Sequence, residues 1–291
     1  MGSATVAVPA LAEGVLERVA RSGELRLVGP ANHPPMLSLD AQGLPQGYGA
    51  LVARRIADLL AQAVGRPVRL VYETVNDSAS ISQRLGEGKA ELACGVPFTW
   101  AHDEVVDFTI PIGISGLRLM APSGRFDGSP AALAGRRIGV VAGSLGETQL
   151  RGMQPAAQVQ TYANLSAALT ALGRAQVEGV IADSLLLMGL AQQQGLKGEV
   201  LTPAVPYQRY ALVCAVAENT SAFRSLANRA IAQLQQGYVN GNPVDVAAVN
   251  RWLGPGSALN LTPDQIRGVF DGLLLGVEPL RPVPTTPAGS Q

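Results

Sequence analysis

Apolar residues recur along this chain at two periods, and the alternation of the two predicts its elements. Between Tyr48 and Val64, the residues Leu51, Val52, Ile56, Leu59, Leu60 and Ala63 fall at helical spacing and lay one apolar face along a helix. Leu25–Val28 and Val68–Tyr72 read as strands, the second of alternating type. Ile81–Leu85 is a short helix closed by Gly86 and Gly88, and Ala90–Cys94 is a further strand. A helix over Leu11–Ser22 precedes this run, Asn32-His33-Pro34-Pro35 breaks it after the first strand, and Gly43–Gln46 turns it. Strand, helix, strand, helix, strand is the order of a parallel α/β sheet.

The order then restarts. Ile114–Met120 and Arg137–Val141 are strands, a helix begins near Glu147, Val159–Tyr162 is a strand, and Leu165–Gly173 is a helix. Glu178–Ala182 is a strand ending at Asp183. Late in the chain come a strand over Tyr210–Val216, an amphipathic helix over Ser221–Gln236 and a helix over Pro263–Leu274 behind the N-cap candidate Thr262. Two α/β units with a late return predict two lobes joined by two crossing strands, Ile112–Leu119 and Tyr207–Val213. The expected division is 13–113 with 214–278 as lobe 1 and 114–213 as lobe 2, with flexible ends over 1–12 and 279–291. Ligands of open parallel sheets sit at the carboxyl ends of strands. The loops after Val28, Cys94, Val141 and Ala182 are therefore expected around one cleft.

Composition narrows the function. Of 291 residues, 47% are hydrophobic and 15% charged, with 22 acidic against 22 basic side chains, enough apolar material for a sizeable core. No basic stripe argues for nucleic acid. No apolar run is long enough to span a membrane. Cys94 and Cys214 fit no zinc or redox spacing; both lie in apolar strand-like runs and read as buried free thiols, or as a disulfide if those strands are neighbours. Met1-Gly2-Ser3 reads as a cloning scar and no signal-like leader follows, so the protein is either cytoplasmic or separated from its export signal.

Three strand-end turns carry candidate chemistry. In Cys94-Gly95-Val96-Pro97-Phe98-Thr99-Trp100, Gly95 permits close backbone approach to a ligand, and Phe98 and Trp100 either cover a planar group or pack the loop on its own lobe. In Gly143-Ser144-Leu145-Gly146, the start of a helix offers N–H groups to an anion, or Ser144 is a plain N-cap. Asp183 either pairs with a cation or amine or caps a helix over Ser184–Gln192. His33 and His102 lie on or beside these loops, too far apart for a metal pair. No nucleophile triad is assembled, no Walker loop is present, and the sequence calls for no cofactor.

Several ordered blocks then point to a family. They are Gly-Glu-Leu-Arg-Leu from Gly23, His33-Pro34-Pro35-Met36, Gly47-Tyr48, Phe98-Thr99, Val106-Asp107-Phe108-Thr109, Pro111 and Ser115-Gly116-Leu117. In the second unit they are Leu133-Ala134-Gly135-Arg136-Arg137-Ile138-Gly139-Val140, Gly143-Ser144, Ile181-Ala182-Asp183 and Arg251-Trp252-Leu253-Gly254. Over Gly23–Gly254 the chain resembles the family 3 extracellular solute-binding proteins of polar amino acid transporters and the related ligand core of ionotropic glutamate receptors. The resemblance implies a two-lobed periplasmic binding protein type II fold of α/β class, each lobe a mainly parallel sheet flanked by helices. It implies an extracytoplasmic, monomeric binder of a small polar solute, partnered by an ABC transporter permease or a sensor. It places the ligand's ammonium on Asp183 and its carboxylate on Gly143-Ser144 and the loop at Gly95.

Departures from the family are equally specific. Its carboxylate-clamping arginine falls at His102, and an imidazole does not replace a bidentate guanidinium. Its assisting threonine falls at Pro97, which has no N–H. Its stacking aromatics fall at His33 and in Asn76-Asp77-Ser78, and an acidic residue falls at Gly49. The amine half of the site survives and the carboxylate half is altered, so the expected ligand is not an ordinary α-amino acid: it is an amine, a cationic solute or an amino acid held in an altered way. Thr99-Trp100 in place of Thr-Pro is also similar to a cyanobacterial orphan branch without a clear transporter. Two further functions fit the same scaffold: a dehydratase-like enzyme using His33, His102 or Glu147, which needs a His–Glu pair within hydrogen-bond reach, and a protein- or peptide-binding member, which a collapsed cleft or one filled by Trp100 would favour.

Overall fold

The computed structural model describes residues 14–75 and 78–277, without the side chains of Ser78 and His102. The ends expected to be flexible, 1–12 and 279–291, lie outside these residues, as do the internal Asn76 and Asp77.

Helix α1 (Val15–Ser22) leads into strand β1 (Glu24–Gly29). A three-stranded antiparallel meander follows, of β2 (Asn32–His33), β3 (Leu37–Leu39) and β4 (Pro45–Gln46), where the sequence reads only a break and a turn. These strands are two or three residues long, too short to show a period. Helix α2 (Tyr48–Val64) has the predicted bounds, because its apolar face is continuous over four turns and Gly65 stops it in the left-handed region at φ 68°. Then come β5 (Arg69–Thr74), α3 (Ser78–Gly86), β6 (Leu92–Pro97), α4 (Trp100–Asp103) and β7 (Asp107–Phe108).

Strand β8 (Gly113–Pro122) crosses into the second unit of β9 (Arg137–Val141), α5 (Leu145–Met153), β10 (Gln158–Tyr162), α6 (Leu165–Gly173), β11 (Gly179–Asp183), α7 (Ser184–Gln193) and β12 (Glu199–Thr202). Strand β13 (Gln208–Val216) crosses back, and α8 (Ser221–Val239), α9 (Pro243–Leu253) and α10 (Pro263–Leu274) return to the first unit. The capping box of Thr262 and Gln265 starts α10 as its sequence predicts.

The main strand order is β10-β9-β11-β8-β13-β6-β1-β5. The two crossing strands, β8 and β13, pair antiparallel at its centre, with Tyr210 opposite Ser115. On one side β1, β5 and β6 run parallel; on the other β9, β10 and β11 do. A large core cluster joins β1, α2, β6 and β13 to α8, α9 and α10, and so unites the first and last described elements in lobe 1. Two separate clusters cover the faces of the lobe 2 sheet, one under α6 and α7 and one under α5. Parallel strands covered on both faces explain the apolar runs from which the sequence predicted them.

The free-thiol reading of the cysteines is overturned. Cys94 and Cys214 face each other on β6 and β13 and form a disulfide. The bond pins the returning strand to lobe 1, and both cysteines are buried. Strand β6 also runs on to Pro97 rather than ending at Cys94, because Val96 and Pro97 stay in register with Val213 and Leu212 of β13.

Candidate functional site

Strands β9 and β11 are parallel neighbours, so the turn after β9 and the end of β11 emerge at one edge of lobe 2. The first turn of α5 lies hard against β11: a Cβ on Gly146 would come 2.7 Å from the Ile181 carbonyl oxygen. Asp183 closes β11 and caps α7. Its Oδ1 accepts from the backbone N–H groups of Leu185 at 2.9 Å and Leu186 at 3.1 Å. Its Oδ2 accepts from the Tyr210 hydroxyl at 2.6 Å, and the Ser115 hydroxyl also donates to it. Burial raises the pKa of Asp183 above the usual carboxylate range, against these four donors. Each such bond to a charged group is worth about 1.5–3 kcal/mol, against a desolvation penalty of several kcal/mol per ion. Desolvation wins here because every partner is neutral. Among the described residues no cationic side chain pairs with Asp183.

The other turn at this edge is arranged oppositely. Gly143 takes a left-handed φ of 68°, open to glycine without cost. Ser144 caps α5 by accepting from the Glu147 N–H. The Gly143 N–H donates to Glu147 Oε2 at 2.8 Å, while Glu147 Oε1 accepts from Arg151 Nε at 3.0 Å. The Arg151 guanidinium and the Gly143 N–H hold the Glu147 carboxyl below its usual range. A donor expected to face an anion is thus taken by the chain's own carboxylate. Leu145 lines a concavity of about 440 Å³ with Thr148, Gln149, Gly152, Met153 and Gln208, on the flank of α5.

Lobe 1 contributes His33, Gly95, Phe98 and Trp100. His33 ends the short strand β2 and is partly buried; burial lowers its pKa, which keeps the imidazole neutral near pH 7. Gly95 has φ 84°, and a Cβ there would come 3.0 Å from Met36 Cβ, so this glycine admits Met36 as well as a bent strand. Phe98 packs between Trp100 and Phe108, with ring centroids 5.0 and 5.1 Å apart. Trp100 is 77% exposed and does not fill the junction of the lobes. Cys94 is in the disulfide, which leaves only its backbone for a ligand. His102 sits in α4, its side chain undescribed, and Asn76 and Asp77 lie outside the described residues. No hydrogen bond joins Glu147 to His33 among the described residues, so the pair a dehydratase would need is not formed there.

The lobes meet directly. Gly189 of α7 lies against the Pro34 carbonyl so closely that a Cβ would come within 2.2 Å of its oxygen. Leu185, Leu186 and Met188 pack on the lobe 1 core, and Leu186 also reaches the lobe 2 core. Ser184 Oγ is 3.4 Å from Ser115 Oγ at the base of the same seam. Sequence reasoning missed Tyr210 and Ser115 as partners of Asp183. The available signal was weak: Ser115 shares β8 with Arg118, and Tyr210 follows Gln208 and Arg209 in β13, so neither stands out as the one polar residue of its strand. It missed Gly189 entirely, since a glycine inside a helix reads only as a weak helix former.

Residues 25–239 match the model of the bacterial extracellular solute-binding proteins, family 3. No curated protein matches. Among solved structures, the chain is similar to the solute receptor for L-cysteine of Neisseria gonorrhoeae, with TM-score 0.70, 20% identity and coverage of 86% of this chain and 97% of that one. It is similar to an ancestral arginine-binding protein bound to glutamine, with TM-score 0.67, 22% identity and coverage of 80% and 98%. It is also similar to an ancestral amino acid-binding protein described as a precursor of cyclohexadienyl dehydratase, with TM-score 0.69, 18% identity and coverage of 83% and 100%.

Proposed function

We propose that this chain, which belongs to the bacterial extracellular solute-binding proteins of family 3, closes its two lobes over a small polar solute that carries a cationic amine. Its role is to deliver or report that solute, to an ABC transporter permease or a sensor, without changing it chemically. The observation that carries the reading is Asp183: a part-buried carboxylate at the junction of the lobes, with four neutral donors and, among the described residues, no cation. An ammonium supplies the missing charge, and Tyr210 is the group placed to give way to it. The solute receptor and arginine-binding neighbours support a small nitrogen-containing ligand. The disulfide supports an oxidising, extracytoplasmic compartment.

In this reading the contact of α7 with Pro34 is the closed position of the hinge, and solute enters when the lobes part. A thermal-shift screen over amino acids, polyamines, betaines and small organic acids tests it. An amine-containing compound at about a hundredfold excess over its Kd adds roughly 2.7 kcal/mol to stability. That gain is expected to disappear in Asp183→Asn. A gain that survives the substitution would remove Asp183 from the account. The direct seating of Gly189 on Pro34 favours a second reading, a member whose seam stays shut and whose outer surface binds a peptide or protein. A screen with no response at all would favour it.

A further inference from the structure

The strand row that ends at Asp183 leads to a second compartment. Asp183 stands opposite Leu117 on β8, and Leu117 stands opposite Gln208 on β13. Directly paired residues of neighbouring strands share a face, so Asp183, Leu117 and Gln208 form one row across the sheet. Leu117 packs in the cluster under α5, which fixes that face as the one α5 covers. Tyr210, two residues beyond Gln208, shares the face and donates to Asp183. Two strand spacings separate the ends of the row, about 10 Å. At its far end lies the concavity of about 440 Å³, lined by Leu145, Thr148, Gln149, Gly152, Met153 and Gln208. Leu145 begins α5 beside Gly146, which packs on the carbonyl of Ile181, so one helix turn borders both β11 and the concavity.

We infer that a solute anchored by its amine on Asp183 carries an uncharged hydrogen-bonding group at its far end, of the secondary amide class, and lays that group in the concavity along α5. This rests on the solute-binding reading above and extends it. No charged side chain lines the concavity. The Gln208 side-chain amide has no partner among the described residues, and that of Gln149 reaches only the Met153 sulfur, at 3.9 Å, a weak acceptor. Two amide side chains therefore keep donors and acceptors for a neutral polar group, while Leu145 and Met153 offer apolar surface to the stem that carries it. A second ammonium would exchange water for neutral partners alone. Gly152 keeps the space open: a Cβ there would meet nothing within 4 Å.

Matched pairs in which acetylation turns the far ammonium into an amide test this: N-acetylputrescine against putrescine, N-acetylcadaverine against cadaverine, and side-chain-acetylated lysine against lysine. The pairs include amines and an amino acid alike, so the result does not depend on whether the anchored amine carries a carboxylate. Affinities for the whole protein are measured by titration calorimetry. The expected result is that the acetylated member of at least one pair binds ten times more tightly or better than its parent. Gln208→Leu is expected to cut that gain at least threefold. Gly152→Leu, which fills the concavity and leaves Asp183 untouched, is expected to abolish it while the parent's affinity changes less than twofold. Equal affinities within every pair, with both members lost in Asp183→Asn, overturn this inference and leave the solute reading standing. A gain that survives Gly152→Leu also overturns it. No binding by any member overturns the inference, and the solute reading then stands or falls by the wider thermal-shift screen.

Discussion

Two carboxylates of this molecule, one buried and one part-buried, are held in opposite ways. Glu91, 1% exposed and just before β6, lies among cations. Arg18 donates to it from α1 at 2.9 Å, Arg26 reaches it from β1, and the Arg26 backbone N–H adds a bond at 2.7 Å. Asp183, at the end of β11, has only hydroxyl and amide donors among the described residues. Glu91 is fully buried and Asp183 part-buried; taking a carboxylate out of water costs several kcal/mol, and only at Glu91 do cations of the chain offset it. A carboxylate that holds a lobe together brings its own arginines from neighbouring elements. One that stays without a cation, at a junction that can open, keeps its stabilisation for a partner from outside the chain.

The comparison breaks first if Glu91 proves dispensable. Glu91→Ala strands two partly buried arginines and is expected to cost about 3–5 kcal/mol, read as a lowered midpoint in urea unfolding. A cost below about 1 kcal/mol would mean that its ion pairs are ordinary surface pairs. The seam provides a smaller and different effect. Gly189→Val places a side chain where the Pro34 carbonyl now lies, so the lobes are expected to stay apart. Small-angle scattering should show a larger radius of gyration, with amine affinity reduced about tenfold, or about 1.4 kcal/mol. An unchanged radius would mean that the contact does not set the closed position.

Much of the framework is legible in the sequence because burial writes it there. The bounds of α2, β9, α6 and α10 follow from continuous apolar faces and from caps such as Thr262. The meander of β2, β3 and β4 and the short β7 are not legible, since pairs of residues show no period and are held by their neighbours. Sequence reasoning expects the loops after Val28, Cys94, Val141 and Ala182 around one cleft; the parallel pairing of β9 and β11 sets the ends at Val141 and Ala182 on one edge. What each does there depends on partners remote in sequence. Tyr210 reaches Asp183 only because β13 returns beside β8, and Cys214 meets Cys94 across 120 residues for the same reason. The capture of the Gly143 N–H by Glu147 is local, four residues away, and was visible in principle as an acidic residue in the first turn of a helix.

The central claim is that Asp183 is a carboxylate waiting for a cation, and its ionisation measures that directly. Carbon-detected NMR of the aspartate carboxyl groups, with Asp183→Asn assigning the resonance, gives its pKa with and without a binding amine. Without solute, the account predicts a pKa above the usual aspartate range, because desolvation outweighs the neutral donors. A folded pKa above the unfolded one also means that this group's contribution to stability is fully present below the unfolded pKa and is lost as pH rises through the folded one. Adding the amine should bring the pKa down into or below the usual range and remove that loss. A pKa already low in the free protein, and unmoved by any amine, would mean that Asp183 is satisfied by the chain itself and would contradict the account.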